Sequence, residues 1–282
     1  MMEDKIIQFL NNPFPIWETD LTTDLVNEEL LQLAKSGLNS DNYSTSGGYF
    51  KNVFELKKIP IIVSRQSATE STYLEYPDFS AFNFFYEEHG LEPEEYTVIT
   101  SDPIDRLKTA LDIFNLIPDV SRCISLLVRR IQVLKSVDEE IDISYSHPEI
   151  PFSIFVSLCS CSSIISNLRV AESILHEAMH LKLTLIEKHI NLIKPETTET
   201  FYSPWRDEQR PVRGVLHGLF VFSAIKLFYE NLLQMPFDPK TINFLKYKIE
   251  DINTEFETIV QFTKNKGLTE AGKIFSTNLL QN

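Results

Sequence analysis

The sequence predicts a mainly helical α+β fold: a single domain with a small sheet and a buried HExxH helix. Three observations predict it. Apolar residues recur at helical spacing over most of the chain beyond residue 101, and alternating or β-branched segments interrupt this pattern only briefly. A third observation is length, because 282 residues suffice for one large domain with a sizeable core.

Few elements are predicted in the first hundred residues. A helix begins at Thr22 or Thr23, whose hydroxyl can cap its first turn, and Gly37 ends it. The segments KIPIIVS (58–64) and YTVIT (96–100) are short and rich in β-branched residues, so we expect both to be extended.

Helices dominate from residue 102. Asp102 is a suitable N-cap before a proline, and it opens a helix that ends near Ile117. A second amphipathic helix is predicted over 120–137. Between Ile141 and Ser160 the alternating pattern predicts two short strands, with His147-Pro148 in the turn that joins them.

The C-terminal half continues with helices. Apolar periodicity predicts a long helix over 166–192, followed by an irregular polar passage over 194–209. Pro211 can start the next helix, which runs to about Leu233 and is apolar nearly all round, so we expect it to be buried. Two amphipathic helices over 241–262 and 268–280 complete the chain.

The composition limits the partners and the compartment. The net charge of −14 argues against nucleic acid and anionic membranes as partners. The cysteines, Cys123, Cys159 and Cys161, are odd in number and lack the spacing of a disulfide framework or a zinc knuckle. The N-terminus has no signal-peptide pattern, and no apolar run reaches membrane-spanning length. We therefore expect a soluble cytoplasmic protein; its oligomeric state stays open.

One motif carries most of the chemical information: His176-Glu177-Ala178-Met179-His180, inside the predicted long helix. Residues four apart share a helix face, so both imidazoles can bind one metal ion while Glu177 projects beside it. The alternative is that the two histidines are ordinary hydrogen-bonding groups of an apolar helix.

The third metal ligand separates the chemistries open to this motif. The metzincin pattern requires Gly and His where this chain has Leu183 and Ile186, which excludes that class. A later glutamate would complete a gluzincin zinc site, and the available residues are Glu199, Glu208 and Glu230. His217 is the stronger candidate, because an imidazole in the buried helix after Pro211 needs a partner. A core histidine bonded to a carbonyl or carboxylate is the alternative.

Three arginines precede His217 in an otherwise acidic chain: Arg206, Arg210 and Arg213. Arg213 lies four residues before His217 and therefore on the same helix face. Guanidinium groups near a helix N-terminus favour a carboxylate or phosphate ligand. Alternatively, the first two arginines pair with the acidic residues between them.

Three imidazoles and an anion site favour an iron-dependent oxygenase over a zinc hydrolase. Three protein ligands leave room on a six-coordinate iron for a bidentate 2-oxo acid and for dioxygen, while an arginine binds the distal carboxylate. Zinc hydrolysis needs no such anion site. The residues therefore favour a 2-oxoglutarate-type oxygenase over a protease.

Two segments of this chain resemble a known family: SILHEAMH (173–180) and YSPWRDEQRPVRGVLHGLFVF (202–222). They are similar to the HEXXH-motif peptide-modification proteins that occur with biosynthetic genes for ribosomally made, post-translationally modified peptides. The resemblance implies an iron(II)- and 2-oxoglutarate-dependent dioxygenase that uses O₂ to hydroxylate the β-carbon of Asp, Asn or His in a precursor peptide.

Carried onto this sequence, the resemblance makes His176, His180 and His217 the iron ligands. Arg206, Arg210 and Arg213 become candidates for the co-substrate carboxylate, and Glu177 a catalytic-site group that supports the metal ligands or faces the substrate. Residues 141–282 would form the metal-binding catalytic region. Residues 1–140 would form a mostly helical part that contributes to peptide binding, aided by a mobile loop over 36–51.

Two other functions stay open at this point. The first is an HExxH zinc metallopeptidase that acts on a small peptide, with Glu177 as general base. The second is a non-catalytic peptide-binding protein that retains a structural metal. Only the oxygenase requires 2-oxoglutarate and oxygen, whereas the peptidase requires zinc alone and the non-catalytic protein shows no turnover under any condition.

Overall fold

The computed structural model describes residues 2–35, 58–61, 72–76, 79–95, 98–99, 101–136, 138 and 141–281. The chain divides into two compact units. The first contains Met1–Leu25 and Lys182–Asn282, and the second contains Val26–Leu181. Both boundaries fall inside helices rather than between residues 140 and 141, where the sequence division lies. The predicted loop over 36–51 lies outside the described residues.

Helices predominate over two small sheets, which confirms the predicted mainly helical α+β fold. The helices are α1 Met2–Asn11, α2 Thr19–Lys35, α3 Phe79–Glu88, α4 Ser101–Phe114, α5 Pro118–Leu127, α6 Ile164–Glu187, α7 Val212–Leu232, α8 Pro239–Thr258 and α9 Glu270–Leu280, with a 3₁₀ helix at Val260–Lys264. The strands are β1 Lys58–Ile61, β2 Thr72–Glu75, β3 Arg130–Leu134, β4 Ser144–Ser146, β5 Ser153–Ser157, β6 Thr200–Ser203 and β7 Glu208–Pro211.

The second unit is built on a mixed sheet with strand order β1-β2-β3-β5-β4. The pairs β2-β3 and β3-β5 are parallel, whereas β1 and β4 run antiparallel to their neighbours at the two edges. Every residue of β3 and β5 is buried. Both strands therefore lie between other strands, with both of their faces covered.

The short edge strand β4 shows that helices cover both faces of this sheet. Alternate residues of a strand point to opposite faces. The hydroxyls of Ser144 and Ser146 bond to Glu177 of α6, whereas the Tyr145 ring lies 6.4 Å from Phe85 of α3. Helix α6 thus covers one face of the sheet at β4, and α3 covers the other.

The first unit packs around α7, which is buried along most of its length. Phe220 of α7 meets Phe9 of α1 edge-on at 6.4 Å between ring centroids and lies 5.5 Å from Phe275 of α9. Helix α8 begins at a capping aspartate, Asp238, and α9 at a capping threonine, Thr269. Aromatic contacts and local caps thus fix the helices around α7.

Within the described residues, α7 is the one helix long and apolar enough to cross a membrane. Of its most apolar window, 72% is buried inside the protein. A helix that is apolar all round and covered by its own chain has the character of a core helix. This agrees with the burial predicted for the helix after Pro211.

Among the described residues, the predicted helix that begins at Thr22 or Thr23 starts earlier, at Thr19, and three predicted elements differ from the structure in type. The helix predicted over 120–137 ends at Leu127, and its second half contains β3, because Ile131 and Leu134 continue the helical spacing of the apolar residues before them. The passage over 194–209 contains most of the hairpin β6–β7, whose Phe201 packs on Phe262 at 5.4 Å. Of the segment 96–100, residues 98 and 99 are not in a strand, and the others lie outside the described residues.

Candidate metal centre

The two histidines of the HExxH motif lie side by side on α6 in the second unit. Their ring centroids are 4.8 Å apart, and the two Nε2 atoms are 3.1 Å apart. Helical spacing of four residues causes this approach, because it stacks the side chains one turn apart on one face. The His176 side chain is 23% exposed, so the pair can be reached from solvent.

The separation of these two nitrogens suits a shared metal ion. Two nitrogens at about 2.0–2.1 Å from one ion lie roughly 2.9 Å apart at a right angle and roughly 3.3 Å apart at a tetrahedral angle. The observed 3.1 Å falls between these values. His176 and His180 therefore fit two adjacent positions of one metal, in either an octahedral or a tetrahedral site.

The motif glutamate, Glu177, is only 2% exposed, and both of its carboxylate oxygens accept hydrogen bonds. The Ser144 hydroxyl donates to Oε1 and the Ser146 hydroxyl donates to Oε2, each at 2.6 Å. Oε1 also lies 3.9 Å from Nε2 of His176. Short hydrogen bonds to an ionised carboxylate are strong, so the two serines fix the orientation of Glu177.

Sequence reasoning missed these two serines, although a signal was present. In IDISYS (141–146) the two serines stand two apart in a predicted strand and so must share one face. A buried glutamate on the following helix needs hydroxyl or amide donors. Pairing these two requirements would have identified Ser144 and Ser146 as its partners.

In the first unit, His217 is 5% exposed and bonds through Nε2 to Oε2 of Glu187 at 3.1 Å. Arg213 donates to the same oxygen from Nε at 2.9 Å and from Nη2 at 2.7 Å. Arg213 and His217 therefore lie on one side of α7 and share one carboxylate. Sequence reasoning missed Glu187; its signal was its place in the last turn of an apolar helix that carries histidines.

Burial governs the protonation of this group. It lowers the pKa of His217, against the raising effect of the nearby Glu187 carboxylate. Burial alone would raise the pKa of Glu187, but hydrogen bonds and charge from His217 and Arg213 outweigh it, and the net pKa lies below the usual value. At neutral pH, His217 is therefore a neutral imidazole whose Nε2–H donates to an ionised glutamate.

The other two candidate arginines belong to the hairpin β6–β7, Arg206 in its turn and Arg210 in β7. Arg206 is exposed in the turn, and Arg210 Nε lies 3.6 Å from Oε1 of Glu208, a weak surface contact. The Arg210 side chain runs past Gly214, where an added Cβ would lie 3.7 Å from Nε. Both guanidinium groups are thus accessible to a small anion.

Trp205, in the same turn, packs on α7 through the gap that Gly218 leaves. A Cβ at position 218 would lie 2.5 Å from two ring atoms of the indole. The indole also stacks on Phe222, with 5.0 Å between centroids and 4° between planes. Trp205 is thus a packing residue, and glycine at 218 is what permits its approach.

The structure brings some of the predicted site residues together. His176 contacts His180 in the second unit, and Arg213 accompanies His217 in the first. Over the described ranges, no three or more His, Cys, Asp or Glu side chains form a group able to hold a metal ion. His176 and His180 are the pair that the structure places at one point.

No protein-family model matches this chain, and no curated protein matches it. The resemblance carried by residues 173–180 and 202–222 therefore rests on the motifs themselves.

Proposed function

We propose that this protein is an iron(II)- and 2-oxoglutarate-dependent oxygenase that hydroxylates a residue of a ribosomally made precursor peptide. The observation that carries the proposal is the approach of the His176 and His180 Nε2 atoms to 3.1 Å, beside a buried and oriented Glu177. The peptide substrate and the co-substrate 2-oxoglutarate are inferred from the resemblance to the HEXXH-motif peptide-modification proteins.

In this proposal His176 and His180 hold the iron through Nε2, and His217 is the third ligand. Iron bound there would supply oxidative decarboxylation of 2-oxoglutarate coupled to hydroxylation of a peptide carbon. His217 donates Nε2–H to Glu187, so Nδ1 would be its coordinating atom. A carboxylate at the second ring nitrogen is the usual support of a metal-bound histidine, because it fixes the tautomer and the ring orientation.

The environment of Glu177 favours this function over hydrolysis. A peptidase base must take a proton from water and turn toward the scissile bond. Both oxygens of Glu177 already accept a hydroxyl from β4, and the residue is almost wholly buried. A carboxylate held in this way can orient the helix that carries the ligands, but it is not free to turn toward a water or a scissile bond.

The arginines would bind the co-substrate. Arg206 and Arg210 are accessible, and Arg213 carries its charge 48% exposed while bonded to Glu187. Each can donate two parallel hydrogen bonds to a carboxylate. Because Arg213 is already engaged by a protein carboxylate, we expect its loss to weaken co-substrate binding less than loss of a metal ligand does.

The test is anaerobic reconstitution with iron(II) and 2-oxoglutarate, measured by the visible metal-to-ligand charge-transfer band. The wild type should give the band. His180→Ala and His217→Ala should lose it, and Arg213→Ala should weaken it. His189→Ala removes a histidine outside the proposed ligand set and should keep the band.

Absence of the band in the wild type would overturn the oxygenase. If the protein instead binds zinc and cleaves peptides, Glu177→Gln distinguishes the two functions. It should abolish hydrolysis in a peptidase, because the base is lost. Peptide binding without turnover under any metal and co-substrate condition would indicate the non-catalytic protein.

A further inference from the structure

The outer edge of β4 combines an open row of backbone groups with a direct contact to the HExxH helix. Strand β4 is the last strand of its sheet, and each of its three residues is partly exposed. Among the described residues, no strand pairs with its outer side. An unpaired edge is a template for another extended backbone.

The register identifies which backbone groups face outward. Ser157 N–H donates to the Ile143 carbonyl at 2.8 Å, and Tyr145 is opposite Phe155. In an antiparallel pair, bonded and non-bonded positions alternate along the strand. Ile143 and Tyr145 thus direct their backbone groups to β5, while Ser144 and Ser146 direct theirs outward.

These outward-facing residues are the two that hold Glu177. The Ser144 and Ser146 side chains bond to the two oxygens of Glu177, while their backbone N–H and carbonyl groups line the open edge. A backbone seated on this edge would therefore act on the residues that orient the metal-binding motif.

We propose that the β4 edge is the docking strand for an extended peptide segment, which pairs with the backbone of Ser144 and Ser146. The inference rests on the proposed function, since it places that function's peptide substrate. Alternate side chains of the docked segment would point to the α6 face. The residue to be modified is one of those, next to His176 and Glu177.

Charge and length favour a peptide over a second copy of the chain. The chain carries a net charge of −14, so two copies would repel each other. The edge is three residues long, and Pro148 follows it closely, which limits the pairing to a short segment. The occupant is accordingly a neutral or basic peptide.

The probe is a 12-residue peptide selected from a displayed random library on the metal-free, full-length protein and labelled with fluorescein. Its affinity is measured by anisotropy for three proteins: wild type, Ser146→Ala and Ser146→Pro. Both variants lack the hydroxyl, but only proline also lacks the outward N–H. Loss of one backbone hydrogen bond should weaken binding about fivefold or more relative to Ser146→Ala.

A second measurement does not depend on the variants folding. The selected peptide is N-methylated at one position at a time and tested against the wild type. Pairing with one edge uses the N–H of every second residue, so affinity should fall at alternate positions and hold at those between. Loss spaced at three or four residues, or at no position, would overturn the docking strand.

Two further outcomes would also overturn it. One is a library selection that yields no peptide bound to the wild type. The other is a dimer of the free protein that Ser146→Pro dissolves, because a second copy would then occupy the edge. Peptide binding is measured without metal or co-substrate, so its result is independent of the charge-transfer band. A protein that lacks the band can still bind the peptide at the β4 edge, and a protein that shows the band can still lack this binding.

Discussion

The two histidine groups of this protein differ in what surrounds the imidazoles. On α6, His176 and His180 face each other, and the adjacent Glu177 is held by two neutral hydroxyls. On α7, His217 is buried against Glu187, which also accepts from the Arg213 cation. In the first group two ring nitrogens lie 3.1 Å apart, whereas the second is a closed network of a carboxylate and its donors.

The partner of each histidine, rather than the residue type, therefore determines what that histidine can do. A neutral hydroxyl orients a carboxylate without cancelling its charge. The negative charge of Glu177 therefore still attracts a cation bound nearby. Glu187 has its charge offset by Arg213. Cation binding is therefore expected on the α6 side, and anchoring of one imidazole on the α7 side.

The largest effect should come from removing the neutral donors of Glu177. Ser144→Ala/Ser146→Ala leaves both oxygens of a buried carboxylate without these hydrogen bonds. Bonds to charged groups contribute about 1.5–3 kcal/mol each, so the free energy of unfolding should fall by roughly 3–6 kcal/mol in urea titrations at pH 7. Ser162→Ala, at an exposed serine, should change it by less than about 0.5 kcal/mol.

A double-mutant cycle assigns this loss to Glu177. In the Glu177→Gln background the same serine substitutions should cost about half as much, because neutral hydrogen bonds are weaker than charge-assisted ones. An equal cost in both backgrounds would mean that the serines act through packing of β4.

The next effect tests the closed network on α7. Glu187→Ala removes the acceptor of a buried imidazole, and we expect the free energy of unfolding to fall by roughly 2–3 kcal/mol. Most of the loss belongs to His217, because Arg213 is half exposed and its ion pair contributes little. The matched control is Glu208→Ala, an exposed glutamate near Arg210, which should shift stability by no more than about 0.5 kcal/mol. Equal costs for both variants would contradict the closed network.

Alanine substitutions at two glycines of α7 should have smaller effects on stability, and these two effects should be opposite in sign. Gly218→Ala would place a Cβ 2.5 Å from the Trp205 ring and should destabilise the protein by about 1–3 kcal/mol through overpacking. Gly214→Ala meets only ordinary contacts, at 3.7 Å, and should stabilise it by up to about 1 kcal/mol, since alanine favours helix. Thermal unfolding of both variants is the measurement. Destabilisation by both would show that Trp205 is not the cause.

Much of the fold could be predicted from periodicity, and the failures have physical causes. The helices that carry the motifs were predicted within a few residues, because long apolar stripes at helical spacing are a strong signal. Strand β3 was predicted as helix, since Ile131 and Leu134 continue the helical spacing of the apolar residues in α5. Helix α1 was not predicted at all.

The candidate site was predictable only where spacing acts within one helix. The approach of His176 to His180 follows from four-residue spacing, as does the shared side of Arg213 and His217. The bonds from Ser144 to Glu177 and from His217 to Glu187 span 33 and 30 residues. Such contacts depend on how elements pack, which no local pattern encodes.

The last and smallest effect is the loss of stability in acid caused by His217 and Glu187, measured in metal-free protein with a chelator present. Burial lowers the pKa of His217, so the folded state holds it neutral while the unfolded chain takes up a proton below about pH 6.5. Its contribution to stability is therefore complete above that pH and falls as the pH drops below it. The lowered pKa of Glu187 adds a second loss, which begins below about pH 4.5.

His217→Gln separates these two stages, because glutamine can donate to Glu187 and does not titrate. Urea unfolding of the two proteins from pH 7.5 to 5 should give curves that diverge below about pH 6.5, with the wild type losing more stability. The difference between the curves is the informative quantity, since burial and the nearby His89 also lower the pKa of His147 in both proteins. Parallel curves would show that His217 binds its proton equally in the folded and unfolded states. If the wild type instead gained stability relative to His217→Gln as the pH drops through about 6.5, His217 would be charged in the folded state, and the α7 group would be a charged triad rather than a neutral imidazole held by an ion pair.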